Sequence, residues 1–316
     1  MSTFEQINRG FNAVFQSGEL SIGIVIPIEN YARQTVPTLR NHLERVQLVE
    51  QLGFKAIWVR DVPLHVPTFG DAGQTFDPFT YLGFLAGQTT KIALGTASIA
   101  LPLHHPIHVA KSAATIDQLS NGRLILGVAS GDRPSEYPAM GIEFDNRGET
   151  FREAFAYIRK AQENFPTFDS KHFGRLNGQS DILPKASTHK LPLLVTGNSR
   201  QSVQWIAEHS DGWIYYPRNS YMQQSNIEEF RQLIPKASNF DKPFMQSLYV
   251  DLHPNNDHPP QGIHLGFRLG VNYLIDFFQQ LKNMGVNHVA INLRLNSEKI
   301  ESTLERLAKE VLPLFH

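Results

Sequence analysis

The strongest constraint on this chain is an alternation. Short β-rich runs are separated by longer segments of helical periodicity, the pattern of a parallel sheet wrapped by helices. Eight runs qualify as strands: Ile22–Ile28, Ala56–Val62, Ile92–Leu101, Leu124–Ala129, Leu193–Thr196, Trp213–Tyr216, Phe244–Leu252 and His288–Leu293. The first, IGIVIPI, is continuous and β-branched, as a strand covered on both faces should be. Between the strands, Thr38–Leu52 carries Leu39, Leu43, Val46 and Val49 at helical spacing and stops at Gly53. A second helix opens at His105-Pro106, turns Val109, Ala113, Ile116 and Leu119 to one face, and closes at Asn121-Gly122, a pair tolerant of left-handed backbone. Further helices are expected over Gly148–Asn164 (capped by Asp145 or Asn146), Ser202–His209, Val271–Met284 and Glu298–Phe315.

Eight strand-then-helix units, with no repeat and no linker, predict a single (β/α)8 TIM barrel over residues 1–316. The competing fold, an open doubly wound sheet, would show a glycine-rich first turn. Pro27-Ile28-Glu29-Asn30 stands there instead, without G-x-G-x-x-G. Two polar stretches interrupt the rhythm, Phe165–Lys190 after the fourth helix and His253–Gly270 after the seventh strand. Both are read as excursions over the barrel mouth, candidates for lids.

Composition narrows the function. A formal net charge of -1 leaves no basic footprint for nucleic acid or an anionic membrane. The N-terminus lacks a basic segment followed by a long apolar core, and the apolar runs are too short to span a bilayer, so a cytoplasmic location is expected. The absence of cysteine removes disulfides, Cys-ligated zinc, iron–sulfur clusters and thiol nucleophiles. Neither H-E-x-x-H nor G-x-S-x-G occurs, and no metal site is expected.

In such a barrel chemistry gathers just after each strand. Those positions hold Arg60-Asp61, Thr96-Ala97-Ser98 followed by His104-His105, Ser130 through Arg133 with Glu136 and Tyr137, Gly197-Asn198-Ser199-Arg200 with Ser202, Arg218, then His253, Asp257, His258, His264, Arg268 and Arg294. The fifth-strand turn, Gly197 to Ser202, has the clearest physics: glycine admits close approach, and the first amides of a helix are donors for an anion. The same residues equally suit a plain serine helix cap.

The segment IALGTASIALPLHHPIHVAKSAATIDQLSNGRLILGVASGDRPSEYPAMG resembles the central part of the luciferase-like monooxygenase family. LPLLVTGNSRQSVQWIAEHSDGW resembles the family's fifth strand and following helix, and GVNHVAINLR its C-terminal part. The resemblance implies a (β/α)8 barrel binding reduced FMN or, in a sister branch, the deazaflavin F420. It implies a monooxygenase acting with O2 on a small organic substrate, fed by a separate flavin reductase and assembled as a homodimer. By the same resemblance Gly197, Asn198, Ser199 and Ser202 fall at the flavin phosphate, with Arg147 close by and Ser130 at another flavin contact. Thr96-Ala97-Ser98 falls at a third-strand bulge whose non-prolyl cis peptide backs the ring.

One departure concerns the second strand. Where several family members carry an acidic residue followed by histidines, this chain has Arg60-Asp61-Val62. Asp61 could relay a proton or hold Arg60 in an ion pair. Arg60 could face an anionic substrate or the flavin's N1–C2=O edge. His104 is a further catalytic candidate. A flavin-binding protein without turnover is the alternative that the missing histidine raises.

Overall fold

The computed structural model describes residues 3–70, 72–236 and 238–316. A short helix α1 (Arg9–Val14) precedes β1 (Ser21–Val25), and α2 (His42–Gln51), β2 (Ala56–Val59), α3 (Pro78–Gln88), β3 (Ala93–Thr96) and β4 (Ile99–Ala100) follow. Next come α4 (Pro106–Leu119), β5 (Leu124–Ala129), α5 (Glu136–Ala139), α6 (Arg147–Lys160), a hairpin of β6 (Thr167–Ser170) and β7 (Gly174–Asn177), and β8 (Leu193–Thr196). The remainder is α7 (Val203–His209), β9 (Gly212–Tyr215), α8 (Ser220–Gln232), β10 (Phe244–Leu252), β11 (Gln261–Ile263), β12 (Gly266–Leu269), α9 (Val271–Met284), β13 (His288–Asn292) and α10 (Ile300–Glu310).

The parallel ladder runs β13-β1-β2-β3-β5-β8-β9, and β10 pairs with both β9 and β13, which closes the cylinder. The expected (β/α)8 TIM barrel is the fold. Its third strand is broken into β3 and β4 around Ala97-Ser98, a cis peptide, and β4 continues the ladder on β5. The first strand ends early, at a cis Ile26–Pro27 bond.

Two apolar compartments follow from strand alternation. One lies between strands and helices. The other fills the barrel axis, where Ala56, Trp58, Ala93, Ile125 and Leu194 pack against Phe4, Ile7, Phe11 and Phe15 from the N-terminal segment. That segment plugs the N-terminal end. Asn8 fixes it, capping α1 through the Phe11 amide and donating to Asp117 and the Leu124 carbonyl. Inside the axis Trp58 Nε1 donates to His288 Nε2 at 2.9 Å, and His288 Nδ1 stands 2.5 Å from Ser21 Oγ, which donates to the Val14 carbonyl. Gly95 makes room for this network: a Cβ there would lie 2.3 Å from the Trp58 ring.

Several expectations need correction. Helices α3 and α8, each completing a unit, were not among the expected segments. Leu119 does not join the buried face of α4 but is 65% exposed. Neither Asp145 nor Asn146 caps α6 with its side chain, since both fall in a 3-10 turn that runs into the helix. The 165–190 stretch does not cover the mouth. Its β6–β7 hairpin lies along the helical layer, with Ser170 on Glu153 of α6 and Phe173 against His105 at the start of α4. It connects a helix to a strand, and its base lies at the N-terminal end, where Lys185 Nζ donates to the Ala161 and Glu163 carbonyls at the end of α6.

Candidate functional site

The mouth at the C-terminal ends of the strands holds a cavity of about 830 Å³, within the range of small-ligand sites. All eight barrel strands reach it. Val25, Ala97, Ile214, Met245 and Ala290 give apolar lining, the top layer of the packed axis. Above them stand Arg60 and Asp61, Ser98, Ser130 with Asp132, Arg133 and Glu136, Thr196 through Ser199, Tyr215 and Tyr216, Ser247 and Tyr249, and Asn292 with Arg294. The second expected excursion contributes His264 and Leu265.

The turn after β8 is left-handed at Gly197, Ser199 and Arg200, with φ of 55°, 45° and 62°. Glycine takes that region without a Cβ penalty, while Ser199 and Arg200 need external support. They have it. Ser199 Oγ donates to the Thr196 carbonyl at 2.7 Å and accepts the Ser130 amide at 3.2 Å, and Trp213 Nε1 donates to the Gly197 carbonyl at 2.7 Å. Among the described residues the amides of Asn198, Ser199 and Arg200 donate to no protein acceptor. Thr196 Oγ1, buried on the same wall, also lacks a partner. A run of such amides is an anion cradle. The small residues Ala97 and Ala290 line the same cavity as Gly197, Asn198 and Ser199.

Of the residues singled out in the sequence, Arg60, Asp61, Ala97, Ser98, Ser130, Gly197, Asn198 and Ser199 line this cavity. Thr96, Arg147 and Ser202 do not. Thr96 Oγ1 donates to the Gly127 carbonyl, Arg147 lies 3.5 Å over the Phe144 ring, and Ser202 caps α7 by accepting the Trp205 amide. The α6 start is nonetheless adjacent to the cradle, through Gln201 Nε2 and the Gly148 carbonyl.

His104 stands behind the wall, with Nε2 2.7 Å from Asp61 Oδ2. Thus Asp61 takes His104 as its partner, while Arg60 reaches the Tyr31 hydroxyl. Burial lowers the His104 pKa, but the hydrogen bond and charge of Asp61, with Asp77 adding, outweigh it and leave the group above its ordinary value. Glu136 shifts upward too. Burial is the chief cause, and nearby Arg133 only partly offsets it. Tyr216 is raised, first by burial and then by Asp132 and Tyr249.

The loop after β2 is the covering element that the sequence did not reveal. Phe69 and Gly70 line the cavity, Arg133 sits 4.3 Å over the Phe69 ring, and Arg294 donates to the Gly70 carbonyl. Met245, Ser247 and Tyr249 were also missed, although their alternation along β10 is the signal of one interior-facing edge. One group with metal-ligand geometry, Glu149, Glu153 and His172, lies outside the barrel where the hairpin meets α6. There Glu153 is already engaged by Ser170 and the His172 amide.

Fold and cavity together define an α/β-barrel protein with a candidate ligand site at its C-terminal mouth. The family model of luciferase-like monooxygenases matches residues 20–257, and the chain belongs to that family. An uncharacterised protein of Mycobacterium tuberculosis is 33% identical over 189 residues, covering 55% of this chain and 66% of that protein. The alkanal monooxygenase beta chain of Photorhabdus luminescens is 31% identical over 169 residues, covering 52% and 49%. The chain therefore matches less than two thirds of either relative. Among solved structures, a monooxygenase from Streptomyces bottropensis superimposes with a TM-score of 0.77 at 17% identity, covering 93% of this chain and 99% of that one. An F420-dependent secondary alcohol dehydrogenase gives 0.76 at 17%, covering 94% and 100%. The FMN complex of the oxygenating constituent of 3,6-diketocamphane monooxygenase from Pseudomonas putida gives 0.73 at 14%, covering 94% and 99%. These likenesses concern the fold. Among the described residues no helix is long and apolar enough to cross a membrane.

Proposed function

We propose that this chain is an FMN-dependent oxidoreductase, a monooxygenase that uses reduced FMN and O2 on a small organic substrate. One observation carries the reading. The Asn198 and Ser199 amides, which among the described residues donate to no protein acceptor, line one cavity with the small residue Ala97, so a phosphorylated flat ring system can meet both at once. The residues fit the group at both ends. Bound FMN would supply the electron transfer. The protein would hold its phosphate on the 197–200 turn, seat its ring against Ala97, Met245 and Ala290, and keep water out with the loop carrying Phe69.

In this reading the protein works in the cytoplasm, receives reduced flavin from a separate reductase and forms a homodimer. The test is titration of the full chain with FMN, reduced FMN and F420, followed by protein and flavin fluorescence. Micromolar binding of FMN is expected, and O2 consumption with reduced FMN and a turned-over substrate would exclude a binder without turnover. Binding of F420 alone would replace the FMN reading by hydride transfer on the same scaffold. Binding of neither would end both.

A further inference from the structure

Asp61 follows β2 and His104 follows β4, 43 residues further on, yet their side chains meet at 2.7 Å. The bonded carboxylate oxygen also accepts the Ala100 amide at 3.0 Å, so Asp61 is held from two sides by the segment that follows the Ala97–Ser98 bond. Asp61 lines the cavity, and its side chain is 2% exposed. His104 is absent from the cavity lining and keeps 24% exposure. The pair therefore runs from the cavity lining, where the carboxylate sits, to a partly exposed imidazole that lies outside that lining. Asp77 faces the imidazole from the start of α3, and Glu136 faces the carboxylate from α5. Arg60, the neighbour in sequence, is directed to Tyr31 instead. Redox chemistry in a cavity shielded from bulk water, which the proposed function requires, needs a proton route of its own.

We infer that His104 and Asp61 form a proton conduit through the barrel wall, serving the group that reacts beside Ala97 and Ser98. The inference rests on the flavin reading above. The imidazolium passes its Nε2 proton to Asp61, and the carboxyl group hands a proton to a basic atom in the cavity. The neutral imidazole then takes a proton from water. One proton leaves solvent, one arrives in the cavity, and no electrons move. Asp61 is the catalytic residue of the pair, and His104 is a positioning residue that acts through it.

The experiment uses the full chain as wild type, Asp61→Asn and His104→Gln. FMN affinity comes first. Wild-type protein without micromolar affinity overturns the flavin reading, and the conduit falls with it. With binding present, His104 is titrated by NMR in 15N-histidine-labelled protein. The oxidation of bound reduced FMN by O2 is followed from about pH 5.5 to 9. His104 is expected to titrate above the ordinary imidazole value in wild type and lower in Asp61→Asn. The oxidation rate should break at the His104 midpoint, lose that break in His104→Gln, and fall on the order of 10²-fold in Asp61→Asn. A His104→Gln protein that keeps the wild-type rate and pH profile overturns the conduit while flavin binding stands. If Asp61→Asn fails to fold, the wild-type titration and His104→Gln decide the matter.

Discussion

The two ends of the barrel are built from the same eight strands and have opposite character. At the N-terminal end Phe4, Ile7, Phe11 and Phe15 close over Trp58 and Ile125, and the polar atoms present are paired within the axis. At the C-terminal end Ala97, Ala290 and Gly197 leave room for a cavity that holds carboxylates and guanidinium groups, and among the described residues the Asn198 and Ser199 amides there donate to no protein acceptor. Strand geometry is common to both. The difference comes from side-chain size within the barrel and from the loops, and it separates stability from ligand binding.

That separation can be broken by substitution, and the largest effect is expected at the sealed end. Trp58→Ala removes a fully buried indole and leaves His288 Nε2 without its donor. A loss of about 3–5 kcal/mol in urea unfolding is expected, with FMN affinity of the folded fraction unchanged. An unchanged unfolding midpoint would show that the axis is not the stabilising end.

The next effect is in pH. Burial holds the His288 pKa at about 3 in the folded chain, far below the 6.5 of an exposed imidazole. The unfolded chain therefore binds a proton that the folded one refuses. The stability lost begins to grow as pH falls below about 6.5 and stops growing near pH 3. The slope in a His288→Gln protein should be smaller than in wild type by about 1.4 kcal/mol per pH unit, with His316, also lowered by burial, contributing in both. Parallel slopes in the two proteins would contradict it.

At the open end effects on stability should shrink while those on binding remain. Gly197→Ala meets no atom closer than Tyr216 Cε2 at 3.6 Å, but it places an alanine at φ 55°. A cost of about 1 kcal/mol is expected in unfolding, with weaker FMN binding from a distorted cradle. Phe69→Ala removes a ring that is 44% exposed and carries the Arg133 contact. Its cost should be smallest, about 0.5–1 kcal/mol, and the expected gain is faster cofactor exchange, read by stopped-flow fluorescence. Slower exchange would show that the loop does not cover the site.

What was legible in the sequence was whatever local pattern controls. Strands five and seven and the strand Leu124–Ala129 fall where their apolar runs begin and end. The helices that escaped notice have weak stripes. In α8 the buried positions are Gln223, Ile227 and Phe230, and the glutamine Nε2 donates to Gln246 on another element. In α3 apolar residues face all sides around Gly83 and Gly87, although Asp77-Pro78 was a usable start signal. The site divided in the same way. Positions after strands were readable one by one. Whether a hydroxyl turned to the cavity or to a neighbouring backbone, as at Thr96 and Ser202, was not.

The sequence by itself determined the period of the elements, their order and the chemical inventory at each strand end, because those depend on neighbours along the chain. Only the tertiary structure decided that Asp61 pairs with His104 rather than Arg60, that the Phe69 loop rather than residues 165–190 covers the mouth, and that Asn198 and Ser199 share a cavity with Ala97. Each of those depends on contacts between residues far apart in the chain, fixed by the closure of the barrel and not by any local preference.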